Sequence, residues 1–249
     1  KNNFGEEKPL PDNFVKEKII KGIPVSQGFA IGNCAIKKSS DLSYSKYNIP
    51  THEVNNEIRR LDNAVKSSVL DLGKIIKKIK DHKNDIYREM KFMLEANISI
   101  ISSSSLVTDA KKKIKSDLIN AEFAVIEELN KHSKIFKKIK DDYLKDRFDD
   151  VRDVCRRILE NLQKKKRKHK GLKDNQILVS NELSAADLLS LSKTKLSGLV
   201  SVMGGPEGHF AIVARSLSIP TIVGVKNLLI DLKDNEPIVL DGEKGILIK

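Results

Sequence analysis

The residues best suited to chemistry lie in one stretch, GLVSVMGGPEGHFAIVARSLSIPTIVG, residues 198–224. A short apolar run leads into Gly204, Gly205, Pro206, Glu207 and Gly208, and His209 then opens a run with helical spacing. Glycines let a backbone come close to another molecule. The first amides of a helix are unpaired and carry about half a positive charge, which suits a phosphate. The same dipole discourages protonation of an imidazole, and neutral imidazole is the nucleophile. Arg215 follows nearly two turns on and offers a delocalised cation to phosphoryl oxygens if its side chain reaches back. Each residue alone has a plainer reading: a lone histidine at a helix start is more often a surface or capping residue, a glycine pair often only makes a turn, and Arg215 reads equally as a solvated helix arginine. The order strand, Gly-Gly turn, histidine, helix, arginine, strand, at the carboxyl end of a strand, favours the chemical reading.

The elements that must position this stretch can be read from hydrophobic period. Residues 16–38 carry β-branched bursts punctuated by Gly22, Gly28 and Gly32, and are expected to be strands and turns. From Thr51, a candidate N-cap, the period turns helical, with Val54, Ile58, Leu61, Val65, Val69, Leu72, Ile76 and Ile79 spaced by three or four. Further helical periods cover 85–101, 106–118, 120–131 and 143–162, with no strand expected in 51–163. Successive helices with short connections predict an antiparallel bundle. After a basic cluster at 164–170 and Gly171, strand and helix alternate: 176–180, 184–192, 198–202, a helix from Phe210 to Leu217 with Ile212, Val213 and Leu217 as its apolar face, 220–225, and a terminal pair within 237–249. That alternation predicts an α/β unit with a largely buried sheet. The opening strands are too few to stand alone, so they are expected to pair with the later sheet. The fold class is therefore α/β plus all-α: a discontinuous α/β domain (16–46 and 165–249) interrupted by an antiparallel helical-bundle subdomain (47–164), behind a polar tail (1–15).

Bulk properties narrow the function. The chain has 249 residues and a formal net charge of +12, but only 5% aromatic residues and no Trp. Apart from the 164–170 cluster the lysines are spread along helices, which reads as a solvated surface; no finger or recognition-helix signature is present, and nucleic acid is not expected as a partner. No apolar run approaches the ~18 residues needed to cross a bilayer, so no membrane association is expected. Cys34 and Cys155 have no partner motif, which fits a reducing cytoplasm. No spacing of His, Cys or carboxylates suggests a metal site. The chain starts without Met and without a signal-peptide core, as a piece of a longer cytoplasmic protein would.

The 198–224 segment resembles the phosphohistidine motif of enzyme I of the phosphoenolpyruvate:sugar phosphotransferase system, a motif shared with the swivelling domains of pyruvate phosphate dikinase and phosphoenolpyruvate synthase. GIPVSQGFAIGNCAI (22–36), YLKDRFDDVRDVCRRIL (143–159) and ILVSNELSAADLLSL (177–191) resemble three further stretches of enzyme I in the same order, so the similarity covers about 20–249. The resemblance implies a swivelling phosphohistidine domain interrupted by a helical, carrier-binding one. It implies that His209 is phosphorylated through Nε2, that Arg215 steadies the phosphoryl group, that Ser184 supplies the hydroxyl for which the family usually has threonine, and that Gly204, Gly205 and Gly208 form the phosphate-binding loop. The implied donor is phosphoenolpyruvate, used with Mg²⁺ by a C-terminal domain outside this chain; no cofactor is expected within it. The implied acceptor is HPr or the nitrogen-system carrier, and the family's dimerisation lies in the absent part, so this stretch is expected to be monomeric.

The sequence also departs from the family pattern. Glu207 and Gly208 stand where a Thr-Ser pair is usual, as in the nitrogen-related branch; Glu207 must turn outward or bond the imidazole, because a carboxylate facing inward would repel a phosphoryl dianion. Phe210 replaces a small residue, Asn97 replaces a histidine, and Ser102 to Ser105 replace acids that meet a basic carrier. Two competing functions follow: a degenerate regulatory homologue that binds the carrier without turnover, and a basic nucleic-acid or anion-binding module using 164–170.

Overall fold

A computed structural model of the chain describes residues 18–37, 44–79, 85–103, 105–136, 142–163, 172–191, 194–225 and 232–249. The polar tail and the 164–170 cluster lie outside the described residues.

The sheet is built from both ends of the chain. Its strands are β1 (Ile19–Lys21), β2 (Ile23–Ser26), β3 (Phe29–Lys37), β4 (Gln176–Ser180), β5 (Gly198–Ser201), β6 (Thr221–Val223), β7 (Pro237–Asp241) and β8 (Ile246–Ile248). The order is β1-β8-β7-β3-β4-β5-β6-β2, so the opening strands do pair with the later ones. At its centre β3, β4, β5 and β6 run parallel, in a register that sets Val179 beside Val200 and Val200 beside Ile222. The flanking strands β2, β7 and β8 are antiparallel to their neighbours. β1 and β2 sit at opposite ends of this order although one residue separates them, so the single segment 19–26 joins the two edges and closes the sheet on itself, leaving no free edge there. Gly22 is the residue at which that segment changes partner. Its amide donates to the Gly245 carbonyl at 2.9 Å, and a Cβ there would stand 2.6 Å from Val225 Cγ2 and 2.9 Å from the Val223 carbonyl oxygen.

One sheet face encloses a core of Ile20, Cys34, Ile177, Val179, Val200, Ile222, Ile238, Leu240 and Leu247. The other face, through Leu178, Leu199 and Val223, packs against α6 (Ala185–Ser190) and α7 (His209–Ser216), and this core continues into the helices between β3 and β4. Those are α1 (Val54–Ile79), α2 (Asp85–Ser103), α3 (Ser105–Asp117), α4 (Ala121–Phe136) and α5 (Asp142–Leu162). Thr51 is not a cap: a 3₁₀ turn over Thr51–Glu53 precedes α1, with Pro50 before it and no side-chain cap bond. Along α1 the buried line is Glu57, Leu61, Ala64, Ser68, Leu72, Ile75 and Ile79, with the predicted Val54, Ile58, Val65 and Val69 flanking it. On α7, Ile212 is exposed at 37%, and Phe210, Ala211, Val213 and Ala214 make the buried face instead. Within 51–163 the described residues hold no strand, only an isolated bridge of Ile119 to Asn48. Both cysteines are free and buried, and burial, followed by nearby carboxylates, pushes each thiol up to about 12.

Helix α5 occupies the seam between the bundle and the sheet. It packs on α1, α2 and α4, and its residues 153–159 are buried without a break. A helix buried on every side must pair its charges. Arg156 Nη2 meets Asp153 Oδ1 at 2.6 Å and Asp187 Oδ2, on α6, at 2.7 Å, and Lys37 lies 3.7 Å from the other oxygen of Asp187.

Candidate functional site

β5 ends at Ser201, and a turn held by Met203 N donating to Asn181 O (2.8 Å) and Ser201 Oγ donating to Met203 O (2.7 Å) carries the chain into Gly204. Gly204 has φ +115°, a backbone region that favours glycine, whereas Gly205 has open space around its Cβ position and Gly208 is extended at φ −67°, ψ 161°. Gly208 is the N-cap of α7 and, as glycine, brings no side chain of its own to the first amides of the helix.

His209 is the first residue of α7, its side chain 39% exposed, and its Nδ1 lies 3.1 Å from Oδ1 of Asp150, which is 8% exposed. A carboxylate accepts, so this contact places the ring proton on Nδ1 and makes Nε2 the lone-pair nitrogen. His209 thus stands at a helix start with an anion delivered from α5 against its ring. The pocket beside it is lined by Gly204, Gly205, Gly208, Ser184, Arg152 and Asn97 among others and has a volume of about 80 Å³. That suits a phosphoryl group and is well below the ~300–1,000 Å³ of sites for drug-sized ligands. A second, apolar groove of about 360 Å³ also includes His209 in its lining, formed with Met90, Phe92, Met93, Ile212 and Val213; Phe92 is 64% exposed.

Ser184 lines the same pocket, and its hydroxyl oxygen accepts from the Asp187 amide at 3.1 Å while the Ser184 amide donates to Asp187 Oδ2 at 3.2 Å. It therefore caps α6 in a reciprocal capping box. Arg215 is exposed, and its Nη1 donates to the Pro206 carbonyl at 2.7 Å, tying the far end of α7 back to the glycine loop. Glu207 is exposed and is not part of the pocket wall, so it takes the outward of the two orientations open to it. The reading of residue types singled out neither Asp150 nor Arg152, whose Nε donates to Glu182 at 2.9 Å. The signal available was the run 143–159, where Asp150, Asp153 and Arg157 recur at helical spacing among apolar residues.

Around the site, burial raises the Asp187 carboxyl, but Arg156 and then Lys37 and Arg157 outweigh it and hold the group well below the usual carboxylate range. Burial dominates at Glu160 and moves it up despite Arg156. Among the described residues no group of three or more His, Cys, Asp and Glu is arranged to hold a metal ion. No described helix is long and apolar enough to cross a membrane.

Residues 21–147 match the family described as PEP-utilising enzyme, N-terminal, and residues 172–245 match the PEP-utilising enzyme, mobile domain. The chain belongs to the PEP-utilising enzymes. Within that class it is similar to proteins named phosphoenolpyruvate-protein phosphotransferase: 31% identical over 235 residues to that of Mycoplasma capricolum, covering 92% of this chain and 39% of the relative, and 31% over 234 residues to that of Bacillus subtilis, covering 92% and 40%. The chain thus spans about two fifths of the length of these relatives. Among solved structures it is similar to an enzyme I protein determined by NMR (nEIt), with a TM-score of 0.72 and 28% identity over 92% of this chain and 91% of that one. It also shares the fold of the N-terminal domain of Enzyme 1 - Nitrogen, with a TM-score of 0.60 and 24% identity over 92% and 93%.

Proposed function

We propose that this chain is the phosphohistidine part of a phosphoenolpyruvate-protein phosphotransferase, in which Nε2 of His209 carries a phosphoryl group between phosphoenolpyruvate, bound elsewhere in the full protein, and an HPr-like carrier. The observation that carries the reading is His209 at the start of α7, its Nδ1 on Asp150 at 3.1 Å, beside a small glycine-walled pocket. Attack by Nε2 forms the new P–N bond while the donor's bond to phosphorus breaks with its electron pair; the Nδ1 proton stays, and the positive charge gained by the ring is met by Asp150. The positive end of α7 and the glycine loop oppose the phosphoryl charge, so catalysis is mainly positioning and electrostatics. Ser184 and Asp187 fix the start of α6 beside the pocket, and Arg215 holds the loop through Pro206.

In this reading the division is a tail at 1–15, the α/β domain at 16–46 and 165–249, and the helical domain at 47–164, which receives the carrier along the apolar groove between Phe92 and Ile212. Mg²⁺ belongs to the phosphoenolpyruvate step in the remainder of a cytoplasmic protein, and this stretch alone is monomeric. The names of the relatives support a phosphotransferase over a basic binding module. Mixing the chain with carrier bearing ³²P-phosphohistidine tests the reading. Acid-labile label is expected on the wild type and none on His209→Ala; label retained by His209→Ala would overturn it.

A further inference from the structure

One side chain in the wall of the His209 pocket is not explained by the fold. On α2 the buried line runs Met90, Leu94, Asn97, Ile101, at helical spacing, and every member except Asn97 is apolar. Asn97 is 3% exposed, it lines the pocket together with His209, and its Oδ1 is buried without a hydrogen-bond partner. Leucine would fill such a position without leaving an amide unsatisfied, and an orphaned buried group in a native protein calls for a reason. The side-chain amide has a second property that matters here: its oxygen and nitrogen ends have nearly the same shape, so half a turn about the last torsion exchanges an acceptor for two donors in the same space.

A phosphoryl dianion offers acceptors alone, so the pocket must meet it with donors. Two charged side chains of the wall are engaged with each other, Arg152 donating to Glu182 at 2.9 Å, and Asp150 is on the imidazole. A buried neutral donor on the wall formed by α2 adds a hydrogen bond without adding a charge that would trap the group. We propose that Asn97 is a catalytic residue for phosphoryl transfer, its Nδ2 donating to a phosphoryl oxygen while the group passes between a histidine of the partner protein and Nε2 of His209. The step rests on the function proposed above. The P–N bond to the partner's imidazole breaks with its electron pair returning to that nitrogen, the bond to Nε2 forms, and positive charge moves from the partner's ring to the ring beside Asp150.

The experiment is rapid-quench labelling of the wild type, Asn97→Leu, Asn97→Asp and Asn97→His by an HPr-type carrier bearing ³²P-phosphohistidine, with thermal midpoints measured alongside. Asn97→Leu keeps the volume and removes the donor. Labelling of His209 is expected to slow roughly tenfold or more, as for loss of a donor to a developing anion, while the thermal midpoint holds or rises. Asn97→Asp, nearly isosteric but anionic, slows labelling further, and Asn97→His, which restores a donor, recovers part of the rate. A merely structural asparagine predicts the reverse pairing, with midpoints moving and rates unchanged. Wild-type rates in both Asn97→Leu and Asn97→Asp would overturn the assignment and leave the function standing; should Asn97→Leu fail to fold, the rate of Asn97→Asp decides. A wild type that takes no label would overturn both.

Discussion

Substituting Asp150 by Asn tests the charge logic of the site most directly, because it keeps the shape of the side chain and removes its charge. The carboxylate lies 3.1 Å from Nδ1 of His209, which puts the centre of the ring about 4 Å from the anion; a full unit charge on that ring would gain ~4 kcal/mol at an effective dielectric of ~20. Two features reduce this figure. The His209 side chain is 39% exposed and therefore screened, and a loose transition state has formed less than half of the bond to Nε2. About 1–2 kcal/mol remains, and with ~1.4 kcal/mol per tenfold this is a rate loss of roughly 5–30-fold. The amide adds a second loss, since its nitrogen can donate to Nδ1 and hold the tautomer whose proton sits on Nε2, so the expected total is about 10–100-fold. Because the phosphorylated ring keeps its positive charge, the equilibrium occupancy of label should fall as well. Quench-flow labelling by phosphorylated carrier reads the rate, and prolonged incubation reads the occupancy. Rates within about twofold of wild type for both Asp150→Asn and Asp150→Ala would refute the reasoning.

Other parts of the structure make further predictions. Arg156→Met leaves Asp153 and Asp187 buried without their main cation and should cost about 3–5 kcal/mol in urea unfolding, part of which Asp187→Asn restores in the double variant. Asp187 and Glu122 both have depressed values in the fold; for Glu122, burial pushes up but the hydrogen bonds from Arg60 win. Their stabilisation is complete above the unfolded carboxylate values of ~4 and is lost as pH falls through the lower folded values, so the urea midpoint should drop in that acid range and Asp187→Asn should flatten the drop. Glu160 runs the other way: its raised value makes its contribution greatest in acid and lost as pH rises through the folded value, so Glu160→Gln should make the acid drop steeper. Gly204→Ala must place a Cβ at φ +115° and should destabilise the chain by about 1–2 kcal/mol, whereas Gly205→Ala meets open space and should fold normally while putting a methyl group into the pocket and slowing phosphorylation.

Most of the elements were legible because their periods are local. The β-branched runs and the three-or-four spacing around Leu61 and Leu72 are set by neighbours in the chain, and they place the bundle between β3 and β4 without reference to any contact. The loop before His209 was visible for the same reason, since three glycines and a helix start sit within six residues. What could not be read is what a distant segment brings. Asp150 lies 59 positions from His209; Asn97 was visible as a departure from the family pattern, but not that it is buried in the wall of the pocket beside His209. The closure of the sheet through Gly22 was equally hidden, because one extended segment pairing with β8 and then with β6 looks in sequence like a single short strand. Ile212 misled in the opposite way: an apolar residue at core spacing faces outward, where it helps to form the groove beside the histidine.

Helix α5 shows why the two halves of the chain have to be considered together. An amphipathic reading gives it one apolar stripe and leaves its charges to solvent, yet residues 153–159 are buried on every side. Its polar face is spent on the α/β part: Asp150 on His209, Arg156 on Asp187, and Arg152 on Glu182. Asp187 in turn caps α6 through Ser184, so the start of α6, the pocket wall and the imidazole are all referred to one helix that enters from the bundle. A histidine on the sheet alone would have its amides and its loop, but neither its proton-holding partner nor Asn97. Movement of the bundle away from the sheet by more than the length of a hydrogen bond would therefore remove the Asp150 contact and the α2 wall of the pocket, so the function proposed above requires the seam to stay closed during transfer.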